Sequence, residues 1–203
     1  MAEVEVGLGK SGRRAYGFDD IAIVPSRRTR DPEDVEIKWD IDAFSLELPL
    51  MASAMDGVVS PQTAIEIGRL GGVGVLNLEG LWTRYEDPMN MLKEISQLDA
   101  EHATRRMQEI YLEPVKLELI SERIKEINAA GVISCASVTP QRTELFSSYL
   151  LESELDLLVI QGTVVTAEHV SKTKEPLNLK TFVRDFPIPT IVGGCASYEA
   201  ALH

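Results

Sequence analysis

The feature of this sequence that most limits its fold is an alternation of short apolar runs with longer helical patterns, which starts near residue 48. The runs are rich in small and β-branched residues, and they are continuously apolar, as in strands that are buried on both faces. The predicted strands are Leu48–Ser53, Gly71–Asn77, Val132–Ser137, Leu155–Ile160 and Pro189–Gly193. The sequence therefore predicts an α/β fold with a parallel sheet that is covered on both sides or closed.

Helix signals lie between these runs. Ser60–Pro61 suits an N-cap followed by a first helical turn, which predicts a helix to about Leu70. Apolar residues at helical spacing predict one or two helices over residues 87–113 and 114–130, and Thr139–Pro140 is predicted to open the next helix. Five βα units at this spacing fit either a doubly wound domain or the first five-eighths of a (β/α)8 barrel, and their number alone does not separate the two.

Composition excludes several classes of protein. Hydrophobic residues at 44 % and charged residues at 26 % are typical of a globular chain and not of a disordered one. A net charge of -12 repels phosphate backbones, so no nucleic-acid partner is expected. The sequence has no long apolar span and no apolar leader, so no membrane partner is expected either. The 2 cysteines form neither a disulfide framework nor a C-x-x-C pair, which predicts a cytoplasmic protein.

Short motifs elsewhere carry little functional signal. Gly7–Gly12 matches G-x-G-x-x-G, but too few residues precede it to form a core strand, and a flexible N-terminal arm is predicted there. His102, His169 and His203 share no metal-ligand spacing, so no metal site is expected. Cys135 lies inside an apolar strand and is predicted to be a core residue.

The most informative stretch is Pro49–Gly57, at the end of the first predicted strand. Ser53, Met55 and Asp56 offer a hydroxyl, a polarizable apolar side chain and a carboxylate at the edge where parallel sheets meet their ligands. The same residue types also suit an ordinary turn, so both interpretations stay open on the residues alone. Cys195, just past the fifth predicted strand, lies at the same edge.

Several motifs resemble, in order and spacing, the IMP dehydrogenase/GMP reductase family. They are Tyr16–Asp20, Ile23–Ser26, Pro49–Asp56, Gly71–Gly74 and Ile191–Gly194. The combination of Phe-Asp-Asp-x-x-x-x-Pro with Ser-Ala-Met-Asp is specific, and the resemblance covers nearly the whole chain. Arg13–Asp20 and Asn77–Trp82 resemble more particularly the bacterial IMP dehydrogenase-related subgroup that lacks CBS domains.

The resemblance implies a (β/α)8 TIM barrel of which this chain holds about the first five βα units. Such a barrel binds a purine nucleoside monophosphate, IMP or GMP, at the carboxyl ends of its strands. In the family a cysteine attacks the purine C2, and a hydride passes to or from NAD or NADP. By matching position, Ser53 would contact the phosphate and ribose, Met55 would pack on the base, and Asp56 would brace the loop.

The resemblance also implies a domain organisation. Residues 1–47 would form an N-terminal arm and barrel lead-in, and residues 48–203 the N-terminal part of the catalytic barrel. Dehydrogenases of the family carry a CBS module after the second strand. Residues 83–130 have room for helices only, so neither a CBS module nor its adenine-nucleotide regulation is expected.

The chain departs from the dehydrogenase pattern on the cofactor side. Leu78–Glu79 stands where dehydrogenases commonly have His-Asn, and Gln161–Gly162 replaces an Asp-Ser pair that approaches the cofactor. Cys195 replaces an asparagine expected near the nicotinamide amide, and it is not the family nucleophile. Gln161, Gly162 and Cys195 are therefore candidate cofactor contacts, while the choice of NAD or NADP and the direction of the reaction stay open.

The chain ends at His203, inside the predicted fifth helix. The family's catalytic cysteine loop, phosphate loops and flap would follow, so no catalytic residue is expected in this span and the chain alone is expected to be inactive. The leading hypothesis is the N-terminal part of an enzyme that converts IMP and NAD to XMP and NADH, as a homotetramer when full length. The alternatives are a GMP reductase, which deaminates GMP to IMP with NADPH, and a non-catalytic nucleotide-binding half-barrel.

Overall fold

The computed structural model describes residues 3–25, 27–162 and 177–202, and it divides into two compact units, Met1–Glu36 and Ile37–His203. In the first unit, β1 (Glu3–Gly7) pairs antiparallel with β2 (Lys10–Arg13). The sequence predicted a flexible arm here and did not predict the hairpin. The turn of the hairpin is part of the segment that matches G-x-G-x-x-G. Its first strand alternates glutamate with valine, and Gly9 at φ +69° takes the left-handed conformation that a tight turn uses.

The second unit contains a parallel sheet, its helices and one hairpin. In chain order its elements are β3 (Trp39–Ile41), β4 (Phe44–Leu46), β5 (Met51–Ala52), α1 (Pro61–Arg69), β6 (Val73–Asn77), α2 (Met89–Ser96), α3 (Ala100–Ile110), α4 (Leu117–Ala129), β7 (Cys135–Val138), α5 (Thr143–Glu152), β8 (Leu157–Gln161), α6 (Leu179–Asp185), β9 (Thr190–Gly193) and α7 (Tyr198–Leu202). β3 and β4 pair antiparallel with each other.

The sheet confirms the α/β prediction. Over the described ranges its strands run in the order β5-β6-β7-β8-β9, and all neighbouring pairs are parallel. This order follows the chain without the reversal that defines a doubly wound sheet, so the strands form a curled half-barrel. The carboxyl ends of all these strands consequently lie along one edge.

The first strand of the sheet is shorter than the predicted Leu48–Ser53. Leu48 donates its N–H to the Gly71 carbonyl at 2.9 Å, and the Leu50 carbonyl accepts from Val73 at 3.0 Å, so the segment follows its neighbour before β5 begins. Pro49, between them, has no N–H to give to the ladder, which interrupts the regular pairing.

The helix predictions are partly confirmed. Ser60 caps α1 as predicted, because its hydroxyl accepts from the N–H of Thr63 at 3.0 Å and Thr63 bonds the Ser60 N–H in return. Residues 87–130 form three helices instead of one or two. The carboxylate of Asp99 caps α3 and so starts a new helix. The apolar pattern on either side of Asp99 is that of a single continuous helix.

The helix predicted to open at Thr139–Pro140 begins later, at Thr143. The residues between form a turn in which Arg142 donates its N–H to the Thr139 carbonyl at 3.0 Å. The Thr143 hydroxyl also bonds the Thr139 carbonyl, at 3.0 Å.

Two apolar clusters cover opposite faces of the sheet. The outer face packs on the helices, with fully buried residues that include Leu76, Leu158 and Ile160 from the strands and Phe146 from α5. The inner face carries a smaller cluster, which the β3–β4 hairpin covers. Its buried members are Leu46, Val73, Val75, Cys135 and Leu157. Among the described helices, none is both long and apolar enough to cross a bilayer.

Candidate functional site at the carboxyl edge of the sheet

A polar pocket of about 350 Å³ opens at the carboxyl edge of the sheet. Asn77, Ser137 and Gln161 reach it from the ends of three adjacent strands, β6, β7 and β8. Because side chains alternate along a strand, these three residues share the inner face with the apolar cluster and continue it toward the edge. The pocket therefore lies where parallel α/β folds bind their ligands.

Glu79 forms one wall of this pocket. Its carboxylate accepts the N–H of Thr139 at 2.7 Å, which joins the loop after β6 to the loop after β7. The side chain of Asn77 accepts the N–H of Glu79 at 3.0 Å, and Arg84 donates to the Glu79 carbonyl at 3.0 and 3.2 Å. The sequence singled out Glu79 only as a departure from a pattern, and it missed Asn77 as a pocket residue.

Ser53 and Met55 lie in the loop that follows β5, and both side chains are exposed, Met55 by 56 %. The backbone of this loop is tightly folded. Met55 donates its N–H to the Ser53 carbonyl at 2.8 Å, and its own carbonyl accepts from Val58 and Val59 at 2.9 and 2.8 Å. Ala54, between Ser53 and Met55, lines the pocket, so the loop borders the site.

Asp56 lies in the same loop and bonds to the segment that follows β6. Its carboxylate accepts the N–H of Leu81 at 3.0 Å, and its backbone carbonyl accepts from the Trp82 indole at 3.3 Å. The hydroxyl of Tyr111 donates to the same carboxylate oxygen. A Cβ at Gly80 would lie 1.9 Å from the other carboxylate oxygen, so the observed position of Asp56 requires glycine there.

Two of the three predicted cofactor contacts, Gln161 and Gly162, line the pocket. Gln161 is exposed and its amide oxygen accepts from the Ser137 hydroxyl at 3.3 Å. Gly162 donates its N–H to Gly193 at 2.9 Å and accepts from Gly194 at 3.0 Å, so the ends of β8 and β9 are joined there. Cys195 is exposed in the segment that follows β9 and is not among the residues that line the pocket.

The other chemically interesting residues lie away from this edge or outside the described ranges. Burial, with a contribution from Asp156, raises the pKa of the Cys135 thiol far above its ordinary value, as expected of an inert core cysteine. His102 is exposed and bonds Asp99 at 2.7 Å, while His169 and His203 fall outside the described residues. In residues 3–25, 27–162 and 177–202, no group of three or more histidine, cysteine or acidic side chains could hold a metal ion.

The pocket carries several kinds of hydrogen-bonding group. Amide, hydroxyl and carboxylate side chains line it, so it offers both donors and acceptors to a polar ligand. The residues that line it, all within the described part of the chain, include no lysine or arginine.

Comparisons with known proteins show the family to which the chain is similar. The family model for the IMP dehydrogenase / GMP reductase domain matches residues 15–203. An uncharacterized oxidoreductase of Mycobacterium tuberculosis is 44 % identical over 205 residues, which cover 98 % of this chain and 55 % of the relative. An uncharacterized oxidoreductase of Mycolicibacterium smegmatis is 41 % identical over the same shares. The chain thus spans about half the length of the curated relatives it matches.

A solved structure has the same fold. The IMP dehydrogenase/GMP reductase-like protein from Corynebacterium glutamicum superposes with a TM-score of 0.88 at 41 % identity, over 99 % of this chain and 54 % of that one. Inosine-5′-monophosphate dehydrogenase of Methanocaldococcus jannaschii is similar over a shorter region, with 37 % identity over 65 residues, which is 32 % of this chain.

Proposed function

The chain belongs to the IMP dehydrogenase/GMP reductase family, and from this premise we propose that it is the N-terminal part of an NAD- or NADP-dependent oxidoreductase that acts on a purine nucleoside monophosphate. The leading reaction is that of an IMP dehydrogenase, in which IMP and NAD become XMP and NADH. The full-length protein would complete a (β/α)8 barrel and assemble as a cytoplasmic homotetramer, as the family resemblance implies.

The observation that carries this proposal is the convergence of polar side chains on the inner face at the carboxyl edge. Asn77, Glu79, Ser137 and Gln161 come from different parts of the chain and line one pocket. Strand ends of this kind supply the substrate contacts in TIM-barrel enzymes.

Each loop has a proposed role in holding the ligands. The exposed side chains of Ser53 and Met55 would contact the nucleotide, Ser53 on the phosphate and ribose side and Met55 against the base. Asp56 would hold their loop through its bonds to the segment after β6. Gln161 and Gly162 would face the nicotinamide cofactor, which accepts or donates the hydride when it is bound.

Cys195 is a weaker candidate for a cofactor contact, because it lies past β9 and outside the pocket lining. Neither cysteine of this span is proposed as the nucleophile. Cys135 is fully buried with a strongly raised pKa, and a nucleophilic cysteine needs an accessible thiolate. By resemblance, the family nucleophile would lie on the loop after the sixth strand.

A GMP reductase is the second candidate, and the cofactor side favours it. Glu79 and Gln161, which line the pocket, and Cys195 all replace residues of the dehydrogenase pattern. Residues 83–130 also fold into helices, where dehydrogenases of the family carry a CBS module.

The two reactions are separable with the full-length protein. IMP-dependent reduction of NAD or NADP supports the dehydrogenase, and GMP-dependent oxidation of NADPH supports the reductase. Activity in neither assay would contradict both and leave the non-catalytic half-barrel. Within whichever reaction is found, Gln161→Ala should raise the KM for the cofactor by about tenfold, the equivalent of one good hydrogen bond. Gln108→Ala, at an exposed position of α3, is the matched control and should leave that KM unchanged.

A further inference from the structure

The helices α2 and α3 fill the stretch between β6 and α4, and they reach the proposed nucleotide loop at one point. Tyr111, directly after α3, donates its hydroxyl to the Asp56 carboxylate, although the two residues lie 55 positions apart in the chain. Asp56 follows Met55 directly. The contact therefore attaches the end of α3 to the loop that would hold the purine.

The bond between Tyr111 and Asp56 lies at the edge of a groove. A groove of about 600 Å³ opens beside it, lined by Val58 of the loop side and by Met89 and Met107 of the helical pair. These side chains are all partly exposed, by 42 to 44 %. Beside this groove, the hydroxyl of Tyr111 gives the loop a directed hydrogen bond from the end of α3.

Arg84 holds Tyr111 from the other side. Its guanidinium lies 5.2 Å from the centre of the Tyr111 ring, within the range of a cation–π contact. The same guanidinium donates to the carbonyl of Glu79, whose carboxylate lines the pocket, and to the carbonyl of Glu113. Tyr111 and Arg84 thus connect the loop of Asp56 with the pocket wall at Glu79.

The protonation state of Tyr111 suits this role. Burial raises the pKa of its hydroxyl well above the ordinary value, and the bond to Asp56 adds to the shift. The hydroxyl therefore stays a donor over the whole range in which the protein would act. A phenylalanine at this position would keep the ring over Arg84 and remove only the bond to Asp56.

We propose that Tyr111 is a positioning residue, which sets the loop Ser53–Gly57 in the conformation that binds the purine nucleotide. The inference rests on the proposed function, since it assigns the loop to that nucleotide. It adds to that function a part for the helical pair α2–α3, which lies where dehydrogenases of the family carry a CBS module and which would act on the substrate loop through the Tyr111 hydroxyl.

The test compares Tyr111→Phe with Tyr85→Phe in the full-length protein. Tyr85 donates its hydroxyl to the Ile110 carbonyl at 2.9 Å, so its variant also loses one hydroxyl bond at the end of α3 but does not touch the loop. Tyr111→Phe should raise the Kd for IMP or GMP and the KM about tenfold, with kcat within about twofold. Tyr85→Phe should leave all three within about twofold, even where both variants lower the Tm.

A second readout does not depend on activity. With 13C-methyl methionine, the Met55 resonance is assigned with Met55→Leu and followed in both tyrosine variants. Tyr111→Phe should shift or broaden it, and Tyr85→Phe should not.

A Kd within about twofold of wild type in Tyr111→Phe would overturn the proposal, whatever the resonance does. If the wild-type protein binds neither nucleotide, the proposed function fails. An unchanged Met55 resonance would separately show that Tyr111 does not set the loop.

Discussion

The two faces of the parallel sheet differ in how their burial changes along the strands. On the outer face of β8, Leu158 and Ile160 are both fully buried beneath helices. On the inner face of the same strand, Leu157 is fully buried, Val159 is partly buried and Gln161 is exposed. One face is thus uniform from end to end, whereas the other changes from apolar to polar within one strand.

The two faces therefore have different roles: the outer face stabilises the fold, and the inner face leads to the pocket. The buried residues of the outer cluster join β6, β7 and β8 to α1, α4 and α5, so most of the apolar area that stabilises the fold is buried there. The inner face is closed at its amino end by Phe44 and Leu46 of the β3–β4 hairpin, and it ends in the polar pocket at its carboxyl edge. Substitutions on the outer face should therefore lower stability most, and those of side chains that line the pocket should lower function most.

The largest expected effect is on the outer face. Phe146→Ala removes a side chain that is 1 % exposed at the centre of the outer cluster, and it should lower the free energy of unfolding by about 4 kcal/mol. Val159→Ala, on the inner face of β8, should cost roughly 1 kcal/mol because the site is only partly buried. Urea unfolding measures both values, and equal losses would contradict the difference between the faces.

The next effect concerns the amino edge of the sheet, opposite the pocket. The Asp156 carboxylate accepts both the N–H and the hydroxyl of Ser134, at 2.8 and 3.1 Å, and the Ser134 hydroxyl accepts the N–H of Asp156. Asp156→Ala leaves these buried donors without their acceptor and should cost roughly 3 kcal/mol. Asp156→Asn, which keeps one acceptor, should lose less. Ligand affinity should not change in either folded variant, and a raised Kd would argue that this edge also serves the site.

A third effect lies at the carboxyl edge. Gly80→Ala places a Cβ where the Asp56 carboxylate lies, so the carboxylate must move and the substitution should cost roughly 2 kcal/mol. Gly57→Ala is the control for stability, because its Cβ would meet nothing within 4 Å. Thermal unfolding compares the two variants, and nucleotide binding by the full-length protein is measured for Gly80→Ala. An unchanged Kd in Gly80→Ala would show that the position of Asp56 does not matter for the nucleotide.

The fold was largely predictable because its signals are local. Continuous apolar runs marked the strands, and Ser60 with Pro61 marked the start of α1 to the residue. The break before α3 was missed, because the Asp99 cap lies inside a continuous helical pattern. Strand ends also indicated where a site should lie, and the family resemblance assigned roles there to Ser53, Met55 and Asp56.

What the sequence could not supply is the set of contacts between distant segments. Glu79 reaches Thr139 across 60 positions, and Tyr111 reaches Asp56 across 55. No local sequence pattern indicates that either pair is in contact. In the sequence, Tyr111 is an ordinary residue at the end of a predicted helix. Such contacts depend on how the loops meet once the strands are aligned, and that is set by the packing of the whole sheet.

Ser137→Ala has the smallest expected effect on stability, and it is the sharpest test of whether the inner face serves function and not only stability. Ser137 is buried on the inner face at the end of β7, and its hydroxyl donates to the amide oxygen of Gln161 at 3.3 Å. Ser137→Ala should cost less than about 1 kcal/mol, because the bond is long and its acceptor is exposed. It should nevertheless free the Gln161 amide and, if the proposed function holds, raise the KM for the nicotinamide cofactor severalfold in the full-length protein. Ser147→Ala, which removes a hydroxyl bond within α5, should leave that KM unchanged. If both variants behave alike, the inner face at this edge is structural in the same way as the outer one.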